Sequence, residues 1–186
     1  KWMIGTVNSF FIGFTSTFIA TTLGTMAALG LSRPHMPYKG LIMAILISPM
    51  IVPLIITAAG MFFFYARVNL VYTFTGVILA HVALATPFVV ITVTATLVGF
   101  DMNMVKASQS LGAKPMRTFF KVIMPLILPG IISGALFAFI TSFDEVVIVM
   151  FMASLDQLTI PKQMWAGIRQ EISPVILCMA TCLVIL

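Results

Sequence analysis

The feature that most constrains this chain is a series of long apolar segments that carry almost no charge. Four segments are longer than the roughly 20 residues that an α-helix needs to cross a bilayer, and they lie at about residues 5–31, 41–64, 75–99 and 124–152. A fifth begins near Pro174 and is still apolar at Leu186. Charged residues make up only 8% of the chain, against about 25% in a typical soluble domain. The sequence therefore predicts an all-α, polytopic transmembrane helical bundle.

The fifth segment also bears on domain organisation. A helix that stops in mid-membrane is not a natural terminus, so we expect residues 1–186 to be a single transmembrane domain excised from a longer protein. About five spans are then present, with one span missing upstream and the end of the last span missing downstream.

The loops between the segments differ in their content of basic residues. The 32–40 and 100–123 loops hold six, and the opposite loops hold three: Arg33, Lys39, Lys106, Lys114, Arg117 and Lys121 against Arg67, Lys162 and Arg169. Because Lys and Arg are enriched in loops that stay in the cytoplasm, we expect the 32–40 and 100–123 loops to be cytoplasmic. This bias accounts for the net charge of +5 without a nucleic-acid partner.

Proline interrupts the apolar segments at five places: Pro49, Pro53, Pro87, Pro125 and Pro129. Proline removes a backbone donor and tends to kink a helix. Broken helices at membrane depth are tolerated where they line a cavity or pack on protein. Pro49 and Pro53 are therefore candidates for a kinked translocation path, and the alternative is that they are ordinary transmembrane prolines.

A basic island, residues 102–123, separates the third and fourth segments. Asp101 is a good N-cap for a helix over residues 102–111, and Gly112 supplies a C-terminal cap for it. Pro115 suits the first turn of a second helix. We therefore expect two short helices that meet at a glycine turn and continue rigidly into the fourth span.

Apolar residues recur at helical spacing in the second short helix. Met116, Phe119, Phe120 and Ile123 fall at i, i+3, i+4 and i+7, which predicts one apolar stripe backed by basic residues. Two interpretations remain open. The basic island is either an amphipathic loop held at the membrane surface by anionic lipid, or a docking element that transmits a push from a cytoplasmic partner.

The basic island resembles a motif of permease subunits in binding-protein-dependent ABC importers. That motif reads Glu-Ala-Ala, three residues, Gly, nine residues, then Ile-x-Leu-Pro. Here Ala107, Gly112 and Pro125 match at the required spacing, and Val122-Ile123-Met124 is a conservative variant. Lys106 replaces the acid of the motif and Ser108 replaces its second alanine.

The resemblance extends over nearly the whole chain, through "NSFFIGFTSTFIATTLGTMAALGLSR", "SPMIVPLIITAAG" and "LAHVALATPFVVITV". It implies a type I ABC importer permease fold in the bacterial inner membrane, with residues 102–123 forming coupling helices that sit in a groove of a separate ATPase. The residues that would couple are Lys106, Ala107, Ser108, Gly112, Ala113, Pro115, Phe119 and Pro125. The implied partners are a second permease subunit, identical or different, two cytoplasmic ATPase subunits, an extracytoplasmic solute-binding protein and membrane lipid.

The sequence contains no nucleotide site of its own. It lacks G-x-x-x-x-G-K-[ST], and "GAKP" has no phosphate-cradling loop. We therefore expect ATP and Mg²⁺ to be bound by the partner ATPase, and neither a cofactor nor catalytic residues in this chain. An intramembrane enzyme is disfavoured because H-E-x-x-H and G-x-S-x-G are also missing from the sequence.

Two adjacent acids, Asp144 and Glu145, fall inside the predicted fourth span in "SFDEVVIVMF". A charge at bilayer depth costs roughly 2.5–3.5 kcal/mol, so these side chains should face water or a partner. Adjacent helix positions diverge by about 100°, which predicts that one acid faces the translocation path while the other pairs with a neighbour. The alternative is a structural ion pair with Arg or Lys.

The segments "SFDEVVIVMF" and "TIPKQMWAGIRQEISP" are most similar to the polyamine (spermidine/putrescine) branch of these permeases. Paired carboxylates suit a flexible polycation. Branches for iron, sulfate, thiamine or amino-acid-like cargo share much of the pattern and remain alternatives. A cation-coupled secondary transporter or channel that uses Asp144 and Glu145 is an alternative of another class.

Four further features each have two interpretations. Cys178 and Cys182 lie one helical turn apart and are expected to be packing thiols rather than metal ligands or a redox pair. His81 is expected to be a hydrogen-bonded packing histidine rather than a proton relay. Trp165 either anchors the chain at the membrane interface or contacts the binding protein. The "GIISG" glycines allow close helix approach, within this bundle or to a second subunit.

Overall fold

A computed structural model of the chain describes residues 2–33, 35–99, 101–170 and 174–185, and every regular element in these residues is helical. In chain order they are α1 (Trp2–Leu31), α2 (Lys39–Ile51), α3 (Leu54–Arg67), α4 (Phe74–Val98), α5 (Met102–Ser110), α6 (Pro115–Thr118), α7 (Met124–Phe143), α8 (Val147–Met152), α9 (Ile160–Gln170) and α10 (Pro174–Ile185). A π-helical turn, Phe119–Ile123, joins α6 to α7, and a 3₁₀ turn, Leu155–Gln157, precedes α9.

Three of these helical segments are long and apolar enough to cross a membrane. They are Trp2–Leu31, Phe74–Val98 and the continuous run Pro115–Phe143, and the bent pair Lys39–Ile51 and Leu54–Arg67 makes up to four. The predicted all-α transmembrane bundle is confirmed.

The core is a three-helix unit in which α1, α4 and α7 each pack against the other two. α1 and α4 run parallel, since the rings of Phe11 and Phe74 are 5.7 Å apart near their starts and the Ser16 hydroxyl donates to the Ile78 carbonyl further along. α7 runs antiparallel to them. Because α1 and α4 are parallel, residues 39–67 must lead back from one end of the bundle to the other.

Because of these helix directions, most of the basic residues lie at one end of the bundle. The loop after α1 and the basic island after α4 lie at one end of the bundle. Arg67 ends α3, and Lys162 and Arg169 lie on α9, towards the other end. The charge asymmetry predicted from the loops is therefore present in the folded bundle.

Glycines allow α1 and α7 to approach α4 closely. A Cβ on Gly24 would lie 2.7 Å from Cβ of Val89, and a Cβ on Gly134 would lie 2.5 Å from Oγ1 of Thr92 and 3.0 Å from Cα of Val89. Gly130 meets Thr96 in the same way. The "GIISG" glycines therefore serve packing within this bundle.

The second span was predicted over residues 41–64, with Pro49 and Pro53 as candidate kinks, and the structure has a bent pair of helices there. α2 and α3 are bent by 105° at Val52 and Pro53. A residue before proline is pushed towards extended backbone, and Val52 has φ −72° and ψ 136°.

Pro49 does not break α2, although it removes a hydrogen bond. The Ile45 carbonyl would otherwise accept from the missing N–H at position 49, and the Ser48 hydroxyl donates to it at 2.8 Å. The side-chain hydroxyl thus restores the lost partner. Pro87 and Pro129 likewise lie inside continuous helices.

The fourth span was predicted over residues 124–152, and its predicted end is wrong. α7 ends at Phe143, and α8 begins only at Val147. Asp144 donates its backbone N–H to the Ile140 carbonyl at 3.0 Å and is the C-cap of α7. α8 packs against α3 and α4 instead of prolonging α7.

We predict that Gly134→Ala lowers the stability of the bundle by about 1–3 kcal/mol, because the new methyl group meets the backbone of α4. The measurement is the Tm of the detergent-purified protein. Gly60→Ala in α3 is the matched control, because a Cβ there has nothing within 4 Å, and its Tm should stay the same or rise slightly. Equal changes in Tm for the two variants would contradict the close approach of α7 to α4.

Candidate functional site

The first helix of the basic island begins as predicted. The Asp101 carboxylate accepts from the Asn103 backbone N–H at 2.8 Å, which satisfies one donor that the first turn of α5 leaves free. α5 ends at Ser110, with Leu111 as its C-cap, one residue earlier than expected.

Gly112 ends α5 in the manner predicted. Its φ is +78°, which is the left-handed region that favours glycine. Its N–H donates to the Gln109 carbonyl at 2.9 Å, and the Ala113 N–H donates to the Ser108 carbonyl at 3.2 Å. These two bonds form a Schellman motif, which fixes the direction in which the chain leaves the helix.

The second short helix begins at Pro115, as predicted, and leads without interruption into α7. The connection is the π-helical turn over residues 119–123, at whose end the Met124 N–H donates to the Phe119 carbonyl five residues back. Pro125 follows directly. Because proline has no N–H and crowds the carbonyl four residues earlier, a wider turn before it relieves the conflict.

The π-helical turn overturns the predicted apolar stripe. It adds a residue to the helical turn, so i, i+3, i+4 and i+7 no longer share a face. Met116 is 68% exposed and Phe120 is 56% exposed, whereas Ile123 packs against the core. Phe119 is half-buried.

A hydroxyl bridge joins the two short helices. Ser108 Oγ lies 3.0 Å from Thr118 Oγ1, and Thr118 is only 2% exposed. Sequence reasoning missed this pair, because residues ten apart on separate helices show no periodic signal. The one available hint was Ser108 itself, which stands where the resembled motif has alanine.

Beside the hydroxyl bridge lies a cleft of about 590 Å³, lined by Met104, Ala107, Ser108, Leu111, Ala113, Arg117 and Val122. Leu111 is 87% exposed and Met104 is 49% exposed at its edge. An exposed apolar surface rimmed by charge is typical of a protein–protein contact. Lys106 lies on the exposed surface nearby.

At the opposite end of the bundle, Asp144 and Glu145 do not lie on a continuous helix, which corrects their predicted placement. They lie in the break between α7 and α8. Glu145 is 7% exposed, and its Oε1 accepts from the Ile148 N–H at 2.8 Å. Glu145 therefore satisfies the start of α8, and Asp144 is exposed.

Asp144 lines a cleft of about 370 Å³, which we call the Asp144 cleft. Its lining residues are Phe143, Asp144, Val146, Pro161, Met164, Trp165, Ile168 and Leu183. The Arg169 guanidinium carbon lies 5.4 Å from the centroid of the Trp165 ring. A carboxylate together with an aromatic ring can bind an organic cation. Pro49 and Pro53 are not among the residues that line this cleft.

The segment that carries α9 is fastened to α1. The Asn8 amide donates to the Asp156 carbonyl at 2.7 Å and to the Leu158 carbonyl at 3.0 Å. The Ile160 N–H donates to the Ser9 hydroxyl at 2.8 Å. These bonds hold the start of α9, a helix that sequence reasoning did not predict, beside the Asp144 cleft.

Lys162 on α9 supports α8. Its ammonium donates to the Val149 carbonyl at 3.0 Å and the Ala153 carbonyl at 3.3 Å, which satisfies acceptors at the C-terminal end of that helix. Burial lowers the pKa of the Lys162 ammonium from its ordinary value.

His81 is a packing histidine, as expected: it is 1% exposed, and its Nδ1 lies 2.8 Å from the Ser142 hydroxyl. The expectation for Cys178 and Cys182 is wrong, because both are free and exposed on α10 instead of packed. No group of three or more His, Cys, Asp or Glu suited to a metal occurs in the part of the chain that the structure describes.

We predict that Glu145→Ala lowers the stability of the protein by about 1–2 kcal/mol, because α8 loses the acceptor at its first turn. The Tm of the purified protein measures this. Asp144→Ala is the control, since that side chain is exposed, and it should change stability by no more than about 0.5 kcal/mol. An equal loss for both variants would show that Glu145 has no special structural role.

Residues 20–186 match the family described as "Binding-protein-dependent transport system inner membrane component". The chain is 29% identical over 180 residues to the spermidine/putrescine transport system permease protein PotC of Haemophilus influenzae, covering 97% of this chain and 70% of that protein. It is 30% identical over 173 residues to PotC of Escherichia coli K12, covering 93% and 65%. The putrescine transport system permease protein PotI of E. coli K12 is 36% identical over 103 residues, covering 55% and 37%. The chain thus spans about two thirds of the length of the two PotC proteins.

Proposed function

Because the chain belongs to the family of binding-protein-dependent transport system inner membrane components, we propose that it is the permease subunit of an ATP-driven importer of polyamines. The family consists of transport components, and the chain is a multi-pass protein of the bacterial inner membrane.

The observation that carries the proposal is the form of the basic island. Two short helices joined by a Schellman motif lie at the basic end of the bundle, and the second one leads directly into α7. The cleft beside Leu111 and Met104 is also lined by Arg117 and Val122, so a force applied there reaches the continuous helical segment Pro115–Phe143 and, through it, the core. A carrier that works without a partner has no need of such an element.

The proposed energy source is ATP that is bound outside this chain. The chain has no phosphate-binding loop of its own, so ATP and Mg²⁺ belong to two separate ATPase subunits that dock on the basic islands of two permease subunits. Closure of the ATPases then rocks the permease pair between inward-open and outward-open states. An extracytoplasmic binding protein delivers the cargo at the end that carries α9.

Lys106 alters one detail of this docking. It replaces the acid of the resembled motif, and it lies on the exposed surface of α5. A salt bridge at this position therefore needs an acidic residue on the ATPase, the reverse of the pairing that an acid in the permease would form. The neighbouring residues of the motif, Ala107 and Ala113, line the cleft.

The cargo is proposed from the Asp144 cleft together with the relatives. The carboxylate of Asp144 attracts an ammonium group, and the Trp165 ring offers a face to its charge. The relatives that resemble this chain over most of its length are named as spermidine/putrescine permeases. Glu145 has a structural role at α8, so Asp144 is the acid that we assign to the translocation path.

The broken second span is the other part of the proposed path. At Val52 and Pro53 the backbone leaves helical geometry, and Ile51 and Ile55 beside it are 75% and 64% exposed. Irregular backbone at membrane depth is tolerated where it lines a cavity or packs on protein. We therefore assign the Pro49–Pro53 break to the surface shared by the path and the second permease subunit.

We predict that Gly112→Val abolishes ATP-dependent uptake while the protein still inserts into the membrane. Valine is strained at φ +78°, so the two short helices lose their relative direction. Uptake of radiolabelled putrescine and the amount of protein in the membrane are measured in the same cells. Gly99→Val is the control, because Gly99 lies just before the basic island but has φ −83°. Undiminished uptake by Gly112→Val would refute the coupling role.

A second prediction tests the cargo. Asp144→Asn should raise the KM for putrescine about tenfold or more, because a charge-assisted contact to an ammonium is lost. Asp156→Asn is the matched control, since Asp156 is an exposed acid at the same end of the bundle, and it should leave KM unchanged. If the wild-type complex takes up iron, sulfate, thiamine or an amino acid instead of putrescine, the cargo assignment fails while the coupling assignment stands.

A further inference from the structure

The hydroxyl bridge between Ser108 and Thr118 connects the two short helices of the basic island. Ser108 lies in the last turn of α5, and Thr118 is the last residue of α6. Their hydroxyl oxygens are 3.0 Å apart, so one donates to the other. The bridge reaches across the Gly112 turn from one short helix to the other.

The backbone hydrogen bonds that restrain this turn do not extend to α6. The Schellman bonds run from Gly112 and Ala113 back into α5, and Lys114, the N-cap of α6, makes no side-chain cap bond. These backbone bonds set where the chain leaves α5 but do not reach α6. The hydroxyl bridge adds a side-chain hydrogen bond between the two helices, besides the packing of α5 against α6 and the π-helical turn.

Burial raises the free-energy cost of breaking the hydroxyl bridge. Thr118 is 2% exposed and Ser108 is half-buried, so a hydroxyl that loses its partner there is not freely compensated by water. A hydrogen bond of this kind contributes modestly on balance, whereas an unpaired buried hydroxyl is costly.

Thr118 also leads directly to the transmembrane core. The π-helical turn begins at the next residue, and α7 follows it. α7 lies against α4 through Gly130 and Gly134, where a side chain would collide with Thr96 and Thr92. If Thr118 passes a rotation of α5 on to α7, the close packing of α7 against α4 therefore transmits the movement to α4.

We propose that Ser108 and Thr118 are positioning residues whose hydroxyl bridge makes α5 and α6 move as one body, so that ATPase closure is converted into movement of α7. This rests on the proposed function. The resembled motif has alanine at position 108, so a chain that follows the motif there has no hydroxyl to form this bridge.

The test uses the complete complex, that is the full-length permease with its partner permease, ATPase and binding protein, reconstituted in proteoliposomes. The readouts are putrescine imported per ATP hydrolysed, and separately the Tm of the complex. Ser108→Ala/Thr118→Val removes both hydroxyls and leaves neither one unpaired. We expect its Tm to stay near that of the wild type while putrescine imported per ATP falls roughly two- to tenfold, the range that one hydrogen bond supports.

Conservative variants separate positioning from packing. Ser108→Thr and Thr118→Ser keep both hydroxyls and should retain the wild-type ratio of import to hydrolysis. If Ser108→Ala/Thr118→Val folds and imports as much putrescine per ATP as the wild type, the bridge is a packing detail and the proposal is overturned. A wild-type complex whose ATP hydrolysis supports no uptake at all would instead refute the proposed function.

A covalent replacement keeps the proposal testable should the double variant fail to fold. Ser108→Cys/Thr118→Cys is made with Cys178→Ser and Cys182→Ser, because the two native thiols are exposed. Oxidation of the two new thiols to a disulfide by added diamide, which is itself reduced to the hydrazine, should raise putrescine import per ATP, and reduction by dithiothreitol should lower it again. A ratio that does not respond to either reagent, once disulfide formation is verified by mass spectrometry, would overturn the proposal.

Discussion

The demand that every buried backbone group find a partner governs where this molecule bends. In hydrocarbon no water is available to satisfy a free N–H or C=O, and each unsatisfied group costs several kcal/mol. The chain nevertheless departs from α-helical geometry at Val52, in the π-helical turn and at residues 144–146. In the π-helical turn an altered backbone bond supplies the missing partner, and after residues 144–146 the Glu145 side chain does so.

The solutions differ with the local sequence. The Ser48 hydroxyl donates to the carbonyl that Pro49 leaves without an N–H, and the Glu145 carboxylate accepts from the start of α8. Before Pro125 the helix widens, and its bond runs five residues back. The π-helical turn connects the basic island to α7, and the break at residues 144–146 places Asp144 beside its cleft.

Much of this arrangement was predictable from the sequence. Length and hydropathy predicted α1 and α4. The Asp101 cap and the Gly112 cap follow from local residue chemistry. The spacing of Gly112 and Pro125 predicted the family, which the match over residues 20–186 confirms.

The features that the sequence did not predict depend on contacts between distant residues, or on whether a segment continues as an α-helix or changes to another backbone geometry. Hydropathy alone cannot show that α7 ends at Phe143, because Val147 to Met152 is just as apolar as a continued helix would be. Periodicity cannot reveal a π-helical turn, and the partners Ser108 and Thr118 become neighbours only once the Gly112 turn has formed.

The parallel arrangement of α1 and α4 has an electrostatic consequence. The peptide dipoles of a helix leave a partial negative charge at its C-terminus, and the C-termini of α1 and α4 lie together at the end that carries Arg33, Lys39 and the basic island. α7 runs the other way and offsets only one of the two. A cation placed near such a terminus gains about 0.3–1 kcal/mol. The basic residues at this end therefore interact favourably with two helix C-termini once the bundle has folded.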